Sequence, residues 1–119
     1  MNADNTKKLL AAYPLLYRNL RDSQFECGDG WFDLVWKLSA EIESAAHLEG
    51  IMAAPATWPS ISVLKEKFGE LRVSFSFSVK VSEEIRALAF KASMRSTWVC
   101  EKCGLPRESK VLLRLAETE

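Results

Sequence analysis

At 119 residues and 13.4 kDa the chain fits one domain with one core, and 48% hydrophobic residues, four Trp and six Phe among them, supply the apolar material. Five Gly and four Pro are too few for a fibrous or disordered class. Sixteen basic and sixteen acidic residues cancel, so no long-range positive field draws the chain to a phosphate backbone or an anionic membrane, and nucleic-acid binding is disfavoured.

The opening segment runs into a short apolar stretch broken by Tyr13-Pro14 and Arg18, without the length or cleavage pattern of a signal peptide. No run approaches the ~18 apolar residues that a membrane span needs. Three Cys without a secretion signal point to a reducing cytosol and to free or metal-bound thiols.

Taken in chain order, residues 5–21 read as helical, capped by Asp4 or Asn5. Pro14 breaks the run, so that Leu15 to Arg21 forms a second short helix. A loop follows to Gly28-Asp29-Gly30, where Asp29 is placed to cap the next helix. That helix, 30–49, is strongly patterned: Trp31, Leu34, Val35, Leu38, Ile42 and Ala45 or Ala46 form one apolar stripe, with Gly50 as a stop. Residues 51 to 60, with Pro55 and Pro59, read as an irregular connector.

From 60 to 79 the period becomes two. Ile61 and Val63 alternate with Ser62 and Leu64. After a turn near Phe68-Gly69, Val73, Phe75, Phe77 and Val79 face one way and Ser74, Ser76 and Ser78 the other. This predicts an antiparallel hairpin whose apolar face covers Leu34, Leu38 and Ile42. Ser82-Glu83-Glu84 starts a helix over 82–96 carrying Ile85, Leu88, Ala89 and Ala92. The knuckle and tail, 97–119, end on Val111-Leu112-Leu113-Arg114-Leu115, too short to assign. The expectation is a single α+β domain over 1–119: N-terminal helices and a long amphipathic helix packed on a hairpin of two or three strands, then a further helix and a C-x-x-C turn.

The chemistry-bearing segments are few. Cys100-Glu101-Lys102-Cys103-Gly104 is half of a zinc knuckle, and the sixteen residues after Cys103 hold neither Cys nor His. A closed zinc site takes four ligands. Cys27 and His47 are the remaining candidates, but they lie about 30 Å apart if joined by a straight helix of twenty residues. Two copies of the chain can instead pool their pairs in a homodimer. The default reading is a metal-free turn, with Zn held by Cys100 and Cys103 as the alternative. A thioredoxin-like role fits poorly, since the pair follows a helix and leads into Gly-Leu-Pro.

Glu26, Asp29 and Asp33 lack the alternating pattern of a calcium loop and are explained by capping and the helix dipole. Phe25, Trp31 and Phe32 read as core. The alternating charges from Lys65 to Arg72 make a solvated turn by default; functionally, Lys65, Lys67, Glu70 and Arg72 present a tip suited to contacting another protein. His47 reads as a helix-dipole partner, and no catalytic set emerges, so the chain is expected not to be an enzyme.

Tyr13-Pro14-Leu15-Leu16-Tyr17, Phe25-Glu26-Cys27-Gly28-Asp29-Gly30-Trp31-Phe32-Asp33-Leu34, Val63 to Arg72 and Cys100 to Gly104, in that order, resemble a family of small uncharacterised phage and prophage proteins. The resemblance carries no activity. It implies a small zinc ribbon with a second Cys or His pair, which this chain lacks after Leu105. It also implies a non-catalytic protein of the host cytoplasm that binds a host or phage protein, including components of defence systems such as CRISPR effectors. The competing reading is a zinc-knuckle module touching nucleic acid through Arg95, Lys102, Arg107 and Lys110. A third is an enzyme site assembled from His47 with Asp29 or Asp33.

Overall fold

The computed structural model describes residues 1–107 and shows an α+β fold: α1 (Ala3–Ala12), α2 (Phe32–Leu48), a hairpin of β1 (Ile61–Lys67) and β2 (Glu70–Phe75), and α3 (Glu83–Ser96). The Val111 to Leu115 segment and Lys110 lie outside the described residues. Single 3₁₀ turns occupy Arg21–Ser23 and Asp29–Trp31.

The N-terminal half departs from expectation in two places. The cap of α1 is Asn2, whose side chain accepts the Asn5 N–H at 2.8 Å, and not Asp4 or Asn5. The helix ends at Ala12 because Pro14 disfavours a helical conformation at Tyr13, which adopts φ −130° and ψ 58°. Residues 15–21 then form turns instead of a second helix. A helix would direct the Leu16 carbonyl to Leu20; instead it accepts the Ile61 N–H at 2.8 Å, while Leu20 bonds Tyr17. Arg18 fixes this loop to the connector, donating to the carbonyls of Leu15, Pro55 and Trp58 at 2.6–2.7 Å. The connector's irregular backbone thereby places Trp58 in the core.

The α2 stripe holds as Trp31, Val35, Leu38, Ile42 and Ala46, all buried, with Leu34 and Ala45 at its margin. Ser39, also buried, is satisfied by the Val35 carbonyl and by the Tyr17 hydroxyl. Burial holds the Tyr17 phenol protonated well above its usual range.

The hairpin joins this core through a different set of residues from the one expected. A bulge at Ser62 sets Ile61 opposite Phe75 and Val63 opposite Ser74, so one extra residue on β1 reverses its parity. Ile61 and Leu64 therefore share the inner face, and Val63 turns outward. On β2 the inner set is Leu71, Val73 and Phe75, of which Leu71 is fully buried. Phe77 lies beyond the strand and is fully exposed. The element against β2 is α3, which packs in turn on α2. Helix α3 begins as expected, with Ser82 Oγ accepting the Ile85 N–H, and buries Ile85, Ala89, Ala92 and Ser96.

Candidate functional site

Two sequence motifs separated by seventy residues meet at the N-terminus of α2. Val99 pairs with Pro106 across an antiparallel bridge, and Cys100 N–H donates to Leu105 O while Gly104 N–H donates to Cys100 O, each at 2.8 Å. The knuckle is thus a short hairpin of its own. It seats on Gly28-Asp29-Gly30. Gly30 N–H donates to Glu101 O at 2.6 Å, Gly28 N–H to Glu101 Oε2 at 2.9 Å, and the Trp31 indole N–H to Val99 O at 2.9 Å. A Cβ on Gly28 or Gly30 would collide with the Glu101 backbone, and on Gly30 with Cys100 O and Gly104 N as well. These glycines are required by close approach of two backbones.

Asp29 is the clearest reassignment. Its Oδ1 accepts from Asn2 N at 2.8 Å and Asn5 Nδ2 at 3.1 Å, so it ties down the start of α1 and does not cap α2. The Asn2 N–H, with the Asn5 amide acting the same way, holds the Asp29 carboxyl below the usual carboxylate range.

At the knuckle, Cys103 is exposed and Cys100 half-buried. The N–H groups of Cys103 and Lys102, the Cys103 thiol and the charge of Arg107 all hold the Cys100 thiol below its usual range. Cys27 is buried, and burial pushes its thiol up to about 12. Among the described residues, no three His, Cys, Asp or Glu side chains gather closely enough to hold a metal ion. The donor set on one chain is therefore two thiols, half of a tetrahedral site, and it does not fit a closed zinc ribbon. A cleft of about 410 Å³ beside the knuckle is lined by Asp33, Lys37, Arg95 and Cys103, mixing both charges.

The His47 constellation is not assembled. His47 lies near the far end of α2 from Asp33, about 20 Å along the helix, and packs edge-on against Trp58 at 5.0 Å between ring centroids. Of the basic residues set against nucleic acid, Arg107 is engaged internally. It donates to the carbonyls of Gly69 and Ser96, clamping the knuckle to the hairpin turn and the end of α3. Arg95 lies 3.9 Å from Glu41.

The hairpin tip does collect its predicted residues. Lys65 stands opposite Arg72 and Lys67 opposite Glu70, so all four side chains share the outer face. Arg72 and Glu70 pair at 3.3 Å, leaving three cations against one carboxylate on that face. Lys65 and Arg72 are like charges on opposing positions, which the hairpin tolerates at a cost. The two-residue turn is Phe68-Gly69, with φ of 55° and 78°, the signature of a type I′ turn. Such a turn favours Asn or Gly at its first position. Here a Phe occupies it, 76% exposed, with Lys67 Nζ 5.7 Å from its ring centroid. Sequence reading placed the turn but missed Phe68; a bulky residue before Gly at a hairpin turn was the available signal.

Comparison of the chain with protein families, with curated proteins and with solved structures finds no match in any of the three. Among the described residues, no helix is long and apolar enough to cross a membrane.

Proposed function

We propose that this protein acts by binding another protein, with the β1–β2 tip as its docking surface and Lys65, Lys67, Glu70 and Arg72 around it. The observation that carries the reading is Phe68: a large aromatic side chain held in the left-handed backbone region and exposed, where Asn would satisfy the turn at lower cost. A local rule broken at an exposed position is what a contact residue looks like. Exposed aromatics flanked by cations also suit an interface centre better than a solvated turn.

The resemblance to phage and prophage proteins supports a non-catalytic accessory role in the host cytoplasm. A host defence complex such as a CRISPR effector is the first partner to try. The test is capture from bacterial lysate with tagged wild-type chain and with a Phe68→Asp, Lys67→Glu variant. A specific partner lost in the variant supports the reading; no specific partner, or one retained by the variant, sinks it.

A second reading rests on the knuckle, whose Cys103 is exposed and whose turn aims two thiols at one region. Zinc shared between the Cys100 and Cys103 pairs of two copies would make a closed site that contacts nucleic acid through Lys102. It requires half a zinc per chain, a dimer in solution and a salt-dependent gel shift; zinc-free monomer would remove it.

A further inference from the structure

The two edges of the sheet are treated differently. Along β1 the outward main-chain groups of Leu64 and Glu66 are both taken by Glu26, which donates to Leu64 O at 2.8 Å and accepts from Glu66 N at 2.9 Å. Along β2 the alternation of the ladder turns the groups of Leu71, Val73 and Phe75 outward. The Leu71 N–H ends on Ser96 Oγ at 2.8 Å. Among the described residues, nothing accepts the Val73 N–H. Among the described residues, the part of this edge from Val73 to Phe75 carries no strand partner, a state that folded proteins normally avoid.

A groove of about 460 Å³ runs along the open edge. It is lined by Arg72 from one face of β2 and by Val73 and Phe75 from the other, so it follows the backbone and not a face of the sheet. Its far wall is α3, with Arg86 and Phe90 one turn apart. Phe90 is 67% exposed, and the Arg86 guanidinium sits 5.9 Å from the Phe75 ring centroid. Arg86 forms no ion pair among the described residues, and the groove's one carboxylate, Glu70, is on Arg72. Among the described residues, the walls therefore offer an unpaired strand edge, an apolar strip between Phe75 and Phe90, and an excess of positive charge.

We infer that β2 accepts an added strand: an extended segment of a partner protein in which carboxylates alternate with apolar residues. The main chain of the segment pairs with Val73, its apolar side chains lie against Phe75 and Phe90, and its carboxylates, on the opposite face, meet Arg72. The stretch from Val73 to Phe75 gives such a segment about 10 Å of main-chain contact. The inference rests on the protein-binding reading and supplies its chemistry.

The probe is an acetylated, amidated hexapeptide of alternating glutamate and valine, with a lysine and valine peptide as control, added to the full chain. The readout is hydrogen exchange of the β2 amides by NMR. In the dilute free protein the Val73 amide exchanges rapidly, and saturating acidic peptide slows it at least tenfold. Val73→Pro, which removes the outward donor at an edge-strand position together with a part-buried apolar side chain, abolishes binding. So does Phe90→Glu, an exposed position that does not test folding. The lysine peptide binds at least about fivefold more weakly. A Val73 amide already protected in the dilute protein shows that the chain closes its own edge, and one protected only as concentration rises shows a second copy; either overturns the inference. So does an acidic peptide that protects no β2 amide, or a lysine peptide that binds equally well. A lysate partner lost with Lys67→Glu but kept with Val73→Pro and Phe90→Glu sinks the groove alone; peptide protection without any lysate partner sinks the tip alone.

Discussion

Replacing Gly30 by Ala tests the seating of the knuckle on α2. Ala at an unobstructed position would stabilise the chain by about 0.4–1 kcal/mol through the unfolded state. At Gly30 the added Cβ meets the backbone of Cys100, Glu101 and Gly104, none of which can swing aside as a flexible side chain would. The knuckle must lift. Lifting it breaks the bonds from Gly30 N to Glu101 O, from Gly28 N to Glu101 Oε2 and from the Trp31 indole to Val99 O. At about 0.5–1.5 kcal/mol for each of these three bonds, the loss is about 1.5–4.5 kcal/mol before the unfolded-state gain is subtracted. The net expectation is a destabilisation of about 0.5–4 kcal/mol. Urea unfolding followed by tryptophan fluorescence reads it directly, since Trp31 is fully buried beneath the knuckle. A variant as stable as wild type, or more stable, would refute the close approach and with it the claim that the two motifs form one unit.

Core position predictions follow from the corrected hairpin face. Leu38→Ala and Leu71→Ala each cost about 2–5 kcal/mol by denaturant unfolding, whereas Phe77→Ser changes stability by less than about 0.5 kcal/mol; a large loss at Phe77 would restore the original face. Phe68→Asn raises stability by about 0.5–1 kcal/mol by suiting the left-handed turn position while weakening partner capture; a fall in stability would mean that Phe68 is retained for the fold. The Cys27 thiol has a folded pKa of about 12, raised above the unfolded value near ~8.5, so its contribution is fully present below that lower value. It is lost as pH rises through this window toward the folded pKa, and Cys27→Ala should flatten that alkaline decline. At neutral pH a thiol reagent should label two of the three cysteines quickly in the native protein, Cys100 and Cys103, and the third only on unfolding.

Local signals in the chain specified a good deal. The α2 stripe, the Ser82 cap of α3 and the Phe68-Gly69 turn were legible because period, capping and turn chemistry act within a few residues. The grouping of Lys65, Lys67, Glu70 and Arg72 on one face followed from a short turn and period-two alternation. The helix expected over residues 15–21 was lost for a non-local reason: the Leu16 carbonyl bonds Ile61 and Arg18 bonds the connector. Asp29 looked like a cap for the helix beside it because propensity scores neighbours, yet its partners are Asn2 and Asn5.

The sequence by itself determined an α+β chain with one strong amphipathic helix, one hairpin and a C-x-x-C turn, since each follows from the order of side chains over a single element. Tertiary structure alone decided that a one-residue bulge would turn Ile61 and Leu64 inward together, that α3 and not α2 would lie against β2, and that Gly30 would meet Cys100. It also decided which sheet edge Glu26 closes. Those outcomes depend on bonds and contacts between residues far apart in sequence, where no periodicity links one partner to the other and only the packed chain selects the pairing.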